Sequence, residues 1–382
     1  MCGIIAYTGE GDVRKILHSG LKQLEYRGYD SSGIALQNLT GNIQTSKVVG
    51  SVNKLKTKTA KFVATSGIGH TRWATHGSPL LKNAHPIESS SKSISLVHNG
   101  IIENYAELKS KLQKKGVHFH TDTDTEVLAN LIDSFLTART SIENALSKAI
   151  KLTTGAYTVA VISNKHPGKI VFARTGYAGG IIVAKNGTST IIASDIAAIT
   201  NNNYSMTFLE AGEMGVALNN AVSFFNLKGK KISKKFEKFN LSDSINEKGK
   251  YRYFLEKEIF EQPDSMFDFI RDTYQQNKHD IHFDDFKLTS KEIKSINRII
   301  LLGMGSSEYA AAVGRYYIES LTGIPTQVEN ASEFANREVI ADKNTLVISI
   351  SQSGETVDTI RAMNLVKKAQ ALQIAITNTP RS

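Results

Sequence analysis

The chain has 382 residues, 41% hydrophobic and 21% charged, a composition typical of a folded globular protein and not of a disordered one. Its net charge of +10 comes without a nucleic-acid motif, and no apolar run approaches the roughly 18 residues of a membrane span, so neither a nucleic acid nor a membrane is an expected partner. Its single cysteine, Cys2, excludes a disulfide within the chain and a multi-cysteine zinc site, and no residue cluster suggests a metal or a cofactor. The N-terminus lacks the basic and apolar regions of a secretory signal, so we expect a cytoplasmic protein.

The first 240 residues or so predict an α+β block with two layers of strand. Strands are predicted at Gly3–Tyr7, Gly33–Leu36, Ile94–His98, Tyr157–Ser163, Ile170–Ala173, Gly180–Val183, Ile191–Ala193 and Glu213–Leu218. Helices are predicted at Val13–Leu24, Tyr105–Lys114, Thr125–Leu136 and Ile142–Lys151. The lysine-rich run Lys228–Lys238 alternates with apolar residues, which is typical of the exposed face of a hairpin.

The pattern changes after a polar stretch, Asn240–Lys250, which is typical of a linker. A helix is predicted over Tyr251–Gln262, with Pro263 following it. Strands are then predicted at Arg298–Gly303, Thr326–Asn330, Thr345–Ser351 and Gln373–Asn378, with helices at Ser306–Leu321 and Thr356–Ala369. Alternating strands and helices of this kind indicate a parallel sheet with crossover helices.

Cys2 is the first candidate for chemistry. If Met1 is removed, Cys2 carries both a thiol and an α-amine, whose ordinary pKa of about 7.7–8.0 lets it act as a base near neutral pH. One residue could then supply both nucleophile and base. Taken alone, Cys2 fits better as a small buried apolar residue, which is the usual role of a lone cysteine.

Several motifs place Cys2 in context. The chain opens MCGII, and continues with EYRGYDSSG at 25–33, GHTRWATHG at 69–77, NAHP at 83–86, VHNGIIEN at 97–104 and TDTDTE at 121–126. In this order the motifs resemble the class II glutamine amidotransferases, and the EYRGYDSSG variant resembles the glutamine–fructose-6-phosphate aminotransferase family. The resemblance implies an N-terminal-nucleophile (Ntn) glutaminase fold, an αββα sandwich, in which Cys2 attacks the amide of glutamine.

The chemistry of the motif residues suits this reaction. Asn99 and Gly100 can donate a side-chain amide and a backbone N–H to a developing oxyanion, although an Asn-Gly pair is also typical of a type I′ hairpin turn. Arg72 can bind the α-carboxylate of glutamine and Asp124 its α-ammonium, and the resemblance implies the same roles.

Four further residues have site roles that come from the resemblance alone. It implies that Trp73 and His76 belong to a glutamine-site loop, with Trp73 as a mobile cover, and that Arg27 and Tyr29 line the pocket wall. From chemistry alone, Trp73 could be a core aromatic, His76 a loop histidine, and Arg27 and Tyr29 structural residues.

A second motif, SISQSGET at 349–356, lies where a strand is predicted to give way to a helix. Three hydroxyls, a glycine and unpaired N–H groups at a helix start could bind a phosphate without a lysine, although an ordinary N-cap gives part of the same pattern. The region resembles a sugar-isomerase (SIS) domain. The resemblance implies that fructose 6-phosphate contacts Ser306, Ser307, Ser351, Gln352, Ser353 and Thr356.

Together, these features predict a glutaminase domain over 2–240, a linker and connecting helices over 241–297, and a first SIS domain over 298–382. We expect this SIS domain to be truncated and a second one absent. The resemblance implies synthesis of glucosamine 6-phosphate, the first step of hexosamine biosynthesis, from glutamine and fructose 6-phosphate by a homodimer. The alternatives are a chain that acts only as a glutaminase, a purine or asparagine relative with another acceptor, and a non-catalytic sugar-phosphate-binding protein.

Overall fold

The computed structural model describes residues 2–55, 62–73, 78–176, 179–200, 203–238, 251, 253–275, 280–281, 283, 286, 288–354 and 356–378. The chain divides into two compact units, Met1–Asn246 and Glu247–Ser382. The predicted linker Asn240–Lys250 and the candidate residue His76 lie outside the described residues. No helix in the described part of the chain is both long and apolar enough to cross a membrane.

The first unit is built from two antiparallel sheets and four described helices. Its strands are β1 (Gly3–Gly9), β2 (Ser31–Gln37), β3 (Ile43–Val49), β4 (Ser66–Arg72), β5 (Ile87–Glu88), β6 (Ile94–Gly100), β7 (Tyr157–Ser163), β8 (Lys169–Thr175), β9 (Ile182–Lys185), β10 (Ser189–Ala193), β11 (Ser205–Phe208), β12 (Glu213–Leu218), β13 (Ala221–Asn226), β14 (Lys231–Ile232) and β15 (Glu237–Lys238). Its helices are α1 (Val13–Gln23), α2 (Tyr105–Gln113), α3 (Asp124–Phe135) and α4 (Ile142–Ile150). One sheet has the order β15-β11-β9-β10-β1-β4-β2-β3 and the other β14-β13-β12-β8-β7-β6-β5.

Three apolar cores arrange this unit in four layers. Leu17 and Leu21 of α1 pack with Ile5 and Ile34 on the outer face of the first sheet. Helices α2, α3 and α4 cover the second sheet in the same way. The inner faces of the two sheets meet in a third core, to which Ile68 and other residues of both sheets contribute. The predicted αββα sandwich is therefore confirmed.

This arrangement brings the ends of three strands to one region. Strands β1 and β4 are antiparallel and Gly3 pairs with Thr71, so Cys2 lies beside Arg72. Helix α3 packs on β6 in the core of the second sheet. The fold therefore positions Cys2, Arg72, Asn99 and the first residue of α3 without the help of a long loop.

The second unit contains a four-stranded parallel sheet. Its elements are α5 (Phe254–Thr273), β16 (Tyr274–Gln275), β17 (Asp280–Ile281), α6 (Ser290–Ser295), β18 (Arg298–Gly303), α7 (Ser306–Thr322), β19 (Thr326–Asn330), α8 (Ala331–Phe334), β20 (Thr345–Ser351), α9 (Val357–Lys368) and β21 (Leu372–Thr377). The strand order is β19-β18-β20-β21, and the three pairs in it are parallel, as predicted.

The predicted end of one helix is wrong. Helix α5 begins at Phe254 and runs through Pro263 to Thr273, instead of ending before the proline. A proline removes one backbone N–H and crowds the preceding turn, but it fixes φ near the helical value. The helix can therefore continue beyond the proline at an energetic cost, and a proline alone does not fix where a helix ends.

Candidate active site

The thiol of Cys2 is held by the backbone of the β4 end. The N–H of Trp73 donates to Cys2 Sγ at 3.2 Å, and the carbonyl oxygen of Trp73 lies 3.4 Å from the same sulfur. Gly28 makes this approach possible, because a Cβ there would lie 2.6 Å from the carbonyl carbon of Arg72 and 2.7 Å from the nitrogen of Trp73. Gly28 lies in the EYRGYDSSG motif, but its packing role was not predicted from the sequence.

The electrostatics of Cys2 favour the neutral thiol. Burial raises its pKa above the ordinary value of 9.0, while the hydrogen bond from the Trp73 backbone and the charge of Arg72 lower it by less. A thiol of this kind does not provide a preformed thiolate at neutral pH. Attack on an amide therefore requires a base at the moment of reaction.

Asn99 reaches the nucleophile from the other sheet. Its Nδ2 donates to the carbonyl oxygen of Cys2 at 3.0 Å, and its Oδ1 lies 2.9 Å from Nε2 of His70. An amide nitrogen carries two N–H donors, so it can hold the Cys2 backbone and donate to a second acceptor.

The Asn99–Gly100 pair ends strand β6 and does not form a hairpin turn. Gly100 has a φ of 118°, and a Cβ at this position would lie 2.4 Å from the carbonyl oxygen of Ala156. The position therefore requires glycine because of the neighbouring backbone, independently of any substrate that binds nearby.

Arg72 and Asp124 lie in the same electrostatic environment as the thiol. Both side chains are buried. Burial lowers the pKa of the Arg72 guanidinium, and the nearby groups of Cys2, Asp30 and Asp124 raise it by less. Asp124 is the first residue of α3, and its Oδ2 accepts the N–H of Ile102 at 2.8 Å. The structure thus brings together a thiol, a guanidinium and a carboxylate, as an amino-acid site would need.

Of the predicted wall residues, Tyr29 lies near this group and Arg27 makes a different contact. Tyr29 is 59% exposed and Trp73 45% exposed, and their rings meet edge to face with centroids 5.5 Å apart. Arg27 is buried. Its guanidinium pairs with Asp195, and its Nε donates to the hydroxyl of Tyr26 at 3.2 Å. A buried ion pair of this kind gives Arg27 a structural role within the unit. A pocket-wall role for Arg27 stays a prediction.

A group of buried polar residues behind Asn99 was not predicted. The rings of His70 and His85 stack with centroids 4.3 Å apart. His85 Nε2 and His98 Nδ1 each lie 3.0 Å from the hydroxyl of Thr125, which follows Asp124. The histidines occur in three of the motifs, but nothing in their spacing indicated that they would meet.

The second candidate site lies at the carboxyl ends of β18 and β20. These strands are parallel neighbours, and the helices that follow them lie on opposite faces of the sheet. Ala311 of α7 packs in one apolar core, and Ala362 of α9 packs in the other. The strand order changes direction between β18 and β20, which is where open α/β sheets bind ligands.

Two hydroxyl groups lie close together in the loop after β20. Ser351 Oγ lies 3.0 Å from Thr356 Oγ1 and accepts the N–H of Gly354 at 3.1 Å. Ser353 is buried, and Gln352 is exposed. Thr356 is the N-cap of α9, yet among the described residues its hydroxyl makes no capping bond to the helix. The simple N-cap alternative therefore does not describe this threonine.

The loop after β18 leads directly into a helix. Ser306 and Ser307 are the first two residues of α7, which follows Gly305. Gly303 allows the close approach of this helix to the sheet, because a Cβ there would lie 2.6 Å from the nitrogen of Glu308. Both loops thus present serines at helix starts on one edge of the sheet.

Comparisons with known proteins agree with this architecture. Residues 70–201 match the family model of a glutamine amidotransferase domain, and residues 292–382 match that of a SIS domain. The chain is 41% identical over 99% of its length to glutamine–fructose-6-phosphate aminotransferase (isomerizing) of Clostridium acetobutylicum, and 39% identical over 99% to the enzyme of the same name from Chlorobaculum tepidum. It spans 62% of each of these relatives.

A solved structure shows a related fold. Glutamine phosphoribosylpyrophosphate amidotransferase from B. subtilis, complexed with ADP and GMP, superposes with a TM-score of 0.54 at 19% identity, covering 99% of this chain and 82% of that one. At this identity the likeness concerns the fold alone.

Proposed function

Because the chain belongs to the glutamine–fructose-6-phosphate aminotransferase family, we propose that its first unit hydrolyses glutamine at Cys2. We further propose that the whole protein transfers the released ammonia to fructose 6-phosphate and so makes glucosamine 6-phosphate. The chain spans 62% of its curated relatives, so the activity of the whole protein is part of the proposal.

The observation that carries the proposal is the 3.0 Å contact between Asn99 Nδ2 and the backbone of Cys2, in a site that also contains Arg72 and Asp124. Removal of Met1 exposes the α-amine of Cys2, which takes the thiol proton as Sγ attacks the side-chain amide carbon of glutamine. Asn99 Nδ2 and the Gly100 N–H donate to the oxyanion.

The ammonium form of the Cys2 amine then returns its proton to the leaving nitrogen. Ammonia departs, and a γ-glutamyl thioester forms on Sγ. Water, deprotonated by the same amine, attacks the thioester carbonyl. The C–S bond then breaks, the amine returns the proton to Sγ, and glutamate leaves. Because the raised pKa of the thiol leaves no preformed thiolate, this base is needed in the first step.

In the second unit, the proposal assigns the phosphate of the sugar to the edge of the sheet formed by Ser306, Ser307 and the Ser351–Thr356 loop. The convergent hydroxyls of Ser351 and Thr356 support this assignment. A homodimer and a cytoplasmic location complete the proposal.

The test uses the fact that Cys2 is the only cysteine of the chain. Intact-mass analysis should show that Met1 has been removed and that an electrophilic glutamine analogue adds once, at residue 2. Glutamate release should be lost in Cys2→Ala, and also in the wild-type sequence when removal of Met1 is blocked while Cys2 is kept. A folded Cys2→Ala protein that retains more than a small fraction of the rate would falsify the proposal.

A further inference from the structure

The orientation of the Asn99 side chain is fixed by two hydrogen bonds. Its Nδ2 donates to the Cys2 carbonyl oxygen at 3.0 Å, so its Oδ1 faces Nε2 of His70 at 2.9 Å. An amide oxygen can only accept. The ring nitrogen of His70 must therefore carry the proton and donate, which defines the tautomer of this histidine.

His70 is fully buried and faces other positive or titratable groups. Arg72, His85 and His98 all lie within electrostatic range of its ring. Burial, opposed by the bond to Asn99, lowers the pKa of His70 to about 3. With so low a pKa, the ring is neutral near pH 7.

We propose that His70 is a positioning residue for glutamine hydrolysis: its Nε2–H holds Asn99 Oδ1, so that the amide N–H of Asn99 that does not bind the Cys2 carbonyl points to the place where the oxyanion forms. This inference rests on the proposed function. His70 would not touch the substrate and acts only through Asn99. Without it, the amide can rotate and present its oxygen, which repels an oxyanion.

The surroundings of His70 make it a rigid support. Its ring stacks on that of His85, and His85 bonds to the hydroxyl of Thr125. Thr125 follows Asp124 at the start of α3. The same buried group therefore connects the proposed oxyanion donor with the proposed ammonium-binding carboxylate.

The experiment compares His70→Leu, which removes the donor, with His70→Gln, whose amide nitrogen can occupy the position of Nε2. We expect kcat for glutamine hydrolysis to fall by about two orders of magnitude in His70→Leu with little change in KM. Removal of one oxyanion donor typically lowers kcat by about 10²- to 10³-fold. His70→Gln should recover most of the rate. His166→Leu, the same change at a histidine on the turn between β7 and β8, serves as the matched control and should retain the wild-type kcat.

Two further measurements separate positioning from a general effect on folding. In an Asn99→Ala background, His70→Leu should cause no additional loss, because the residue through which it acts is gone. Nitrogen-15 NMR of the wild-type protein should show His70 as the Nε2–H tautomer from pH 5 to 9, which needs no variant to fold.

The outcomes distinguish the two claims. Hydrolysis that survives Cys2→Ala contradicts the proposed function. Hydrolysis that depends on Cys2 and Asn99 but is unchanged by His70→Leu contradicts this inference alone. Additive losses in the double variant, failure of His70→Gln to restore activity, or an Nδ1–H tautomer would each overturn it as well.

Discussion

The N–H of Trp73 lies 3.2 Å from the sulfur of Cys2, so the backbone of one strand end sets the position of the nucleophile on another. Trp73 can do this because Gly28 packs flat against the peptide between Arg72 and Trp73. The EYRGYDSSG motif thus acts on the thiol through the backbone.

We expect Gly28→Ala to displace this peptide. The added Cβ would lie 2.7 Å from the nitrogen of Trp73, and overpacking of this kind costs about 1–3 kcal/mol. The rate of glutamine hydrolysis should fall about tenfold or more, because small misplacements of reacting groups are costly. Gly314→Ala, inside helix α7, is the control: a Cβ there would approach no neighbour closer than 4.0 Å, so the rate of glutamine hydrolysis should be unchanged and the melting temperature should not fall.

Cys2 should react as a thiol of raised pKa. Burial disfavours the thiolate, so the pKa lies above 9.0 and the thiolate fraction grows with pH through neutrality and beyond. Alkylation by iodoacetamide should therefore accelerate about tenfold per pH unit from pH 6 to 9. The same chain in guanidinium chloride, where burial is lost, should level off earlier. A rate in the folded protein that is flat above pH 7 would contradict the assignment.

Much of the fold was predictable because its apolar runs are long and clear. Strand β7 was predicted with its observed bounds, and the parallel order of the second unit followed from the alternation of strands and helices. Strand β4, which positions Arg72, was missed. Its sequence, SGIGHTR, has few β-branched residues. It is a strand in the structure because it pairs with both β1 and β2, and its glycines leave room for Leu17 and Leu21 of α1.

The site was predictable only in part, for a similar reason. Cys2, Arg72, Asn99 and Asp124 are chemically reactive or charged residues within recognisable motifs. The support behind them depends on contacts across the two sheets, such as the bond from Asn99 to His70, which joins residues 29 positions apart. Local pattern contains no signal for such a contact.

Asp124→Asn should separate recognition from structure. Asparagine keeps an oxygen that can accept the Ile102 N–H, which Asp124 Oδ2 now accepts at 2.8 Å, but it loses the charge that would bind the α-ammonium of glutamine. A charge-assisted bond is worth about 1.5–3 kcal/mol, so KM should rise about 10- to 100-fold with the melting temperature nearly unchanged.

Asp133→Asn offers a matched control on the same helix. Asp133 accepts the hydroxyls of Ser91 and Ser93, away from the thiol. This substitution should lower the melting temperature and leave KM for glutamine unchanged. Equal KM values in wild type and Asp124→Asn would show that Asp124 does not bind the substrate.

The hydroxyls of Ser351 and Thr356 lie 3.0 Å apart at the start of α9. A phosphate at this helix start would accept from both hydroxyls and from N–H groups of the first turn. We expect Ser351→Ala and Thr356→Val each to weaken the binding of fructose 6-phosphate about tenfold, measured by calorimetry, because each loses a bond to a charged group. The double variant should lose less than the sum, since neighbouring residues in one network are coupled. Ser295→Ala, on the exposed helix α6, should bind as wild type does. Unchanged affinity in both single variants would exclude this loop as the phosphate site.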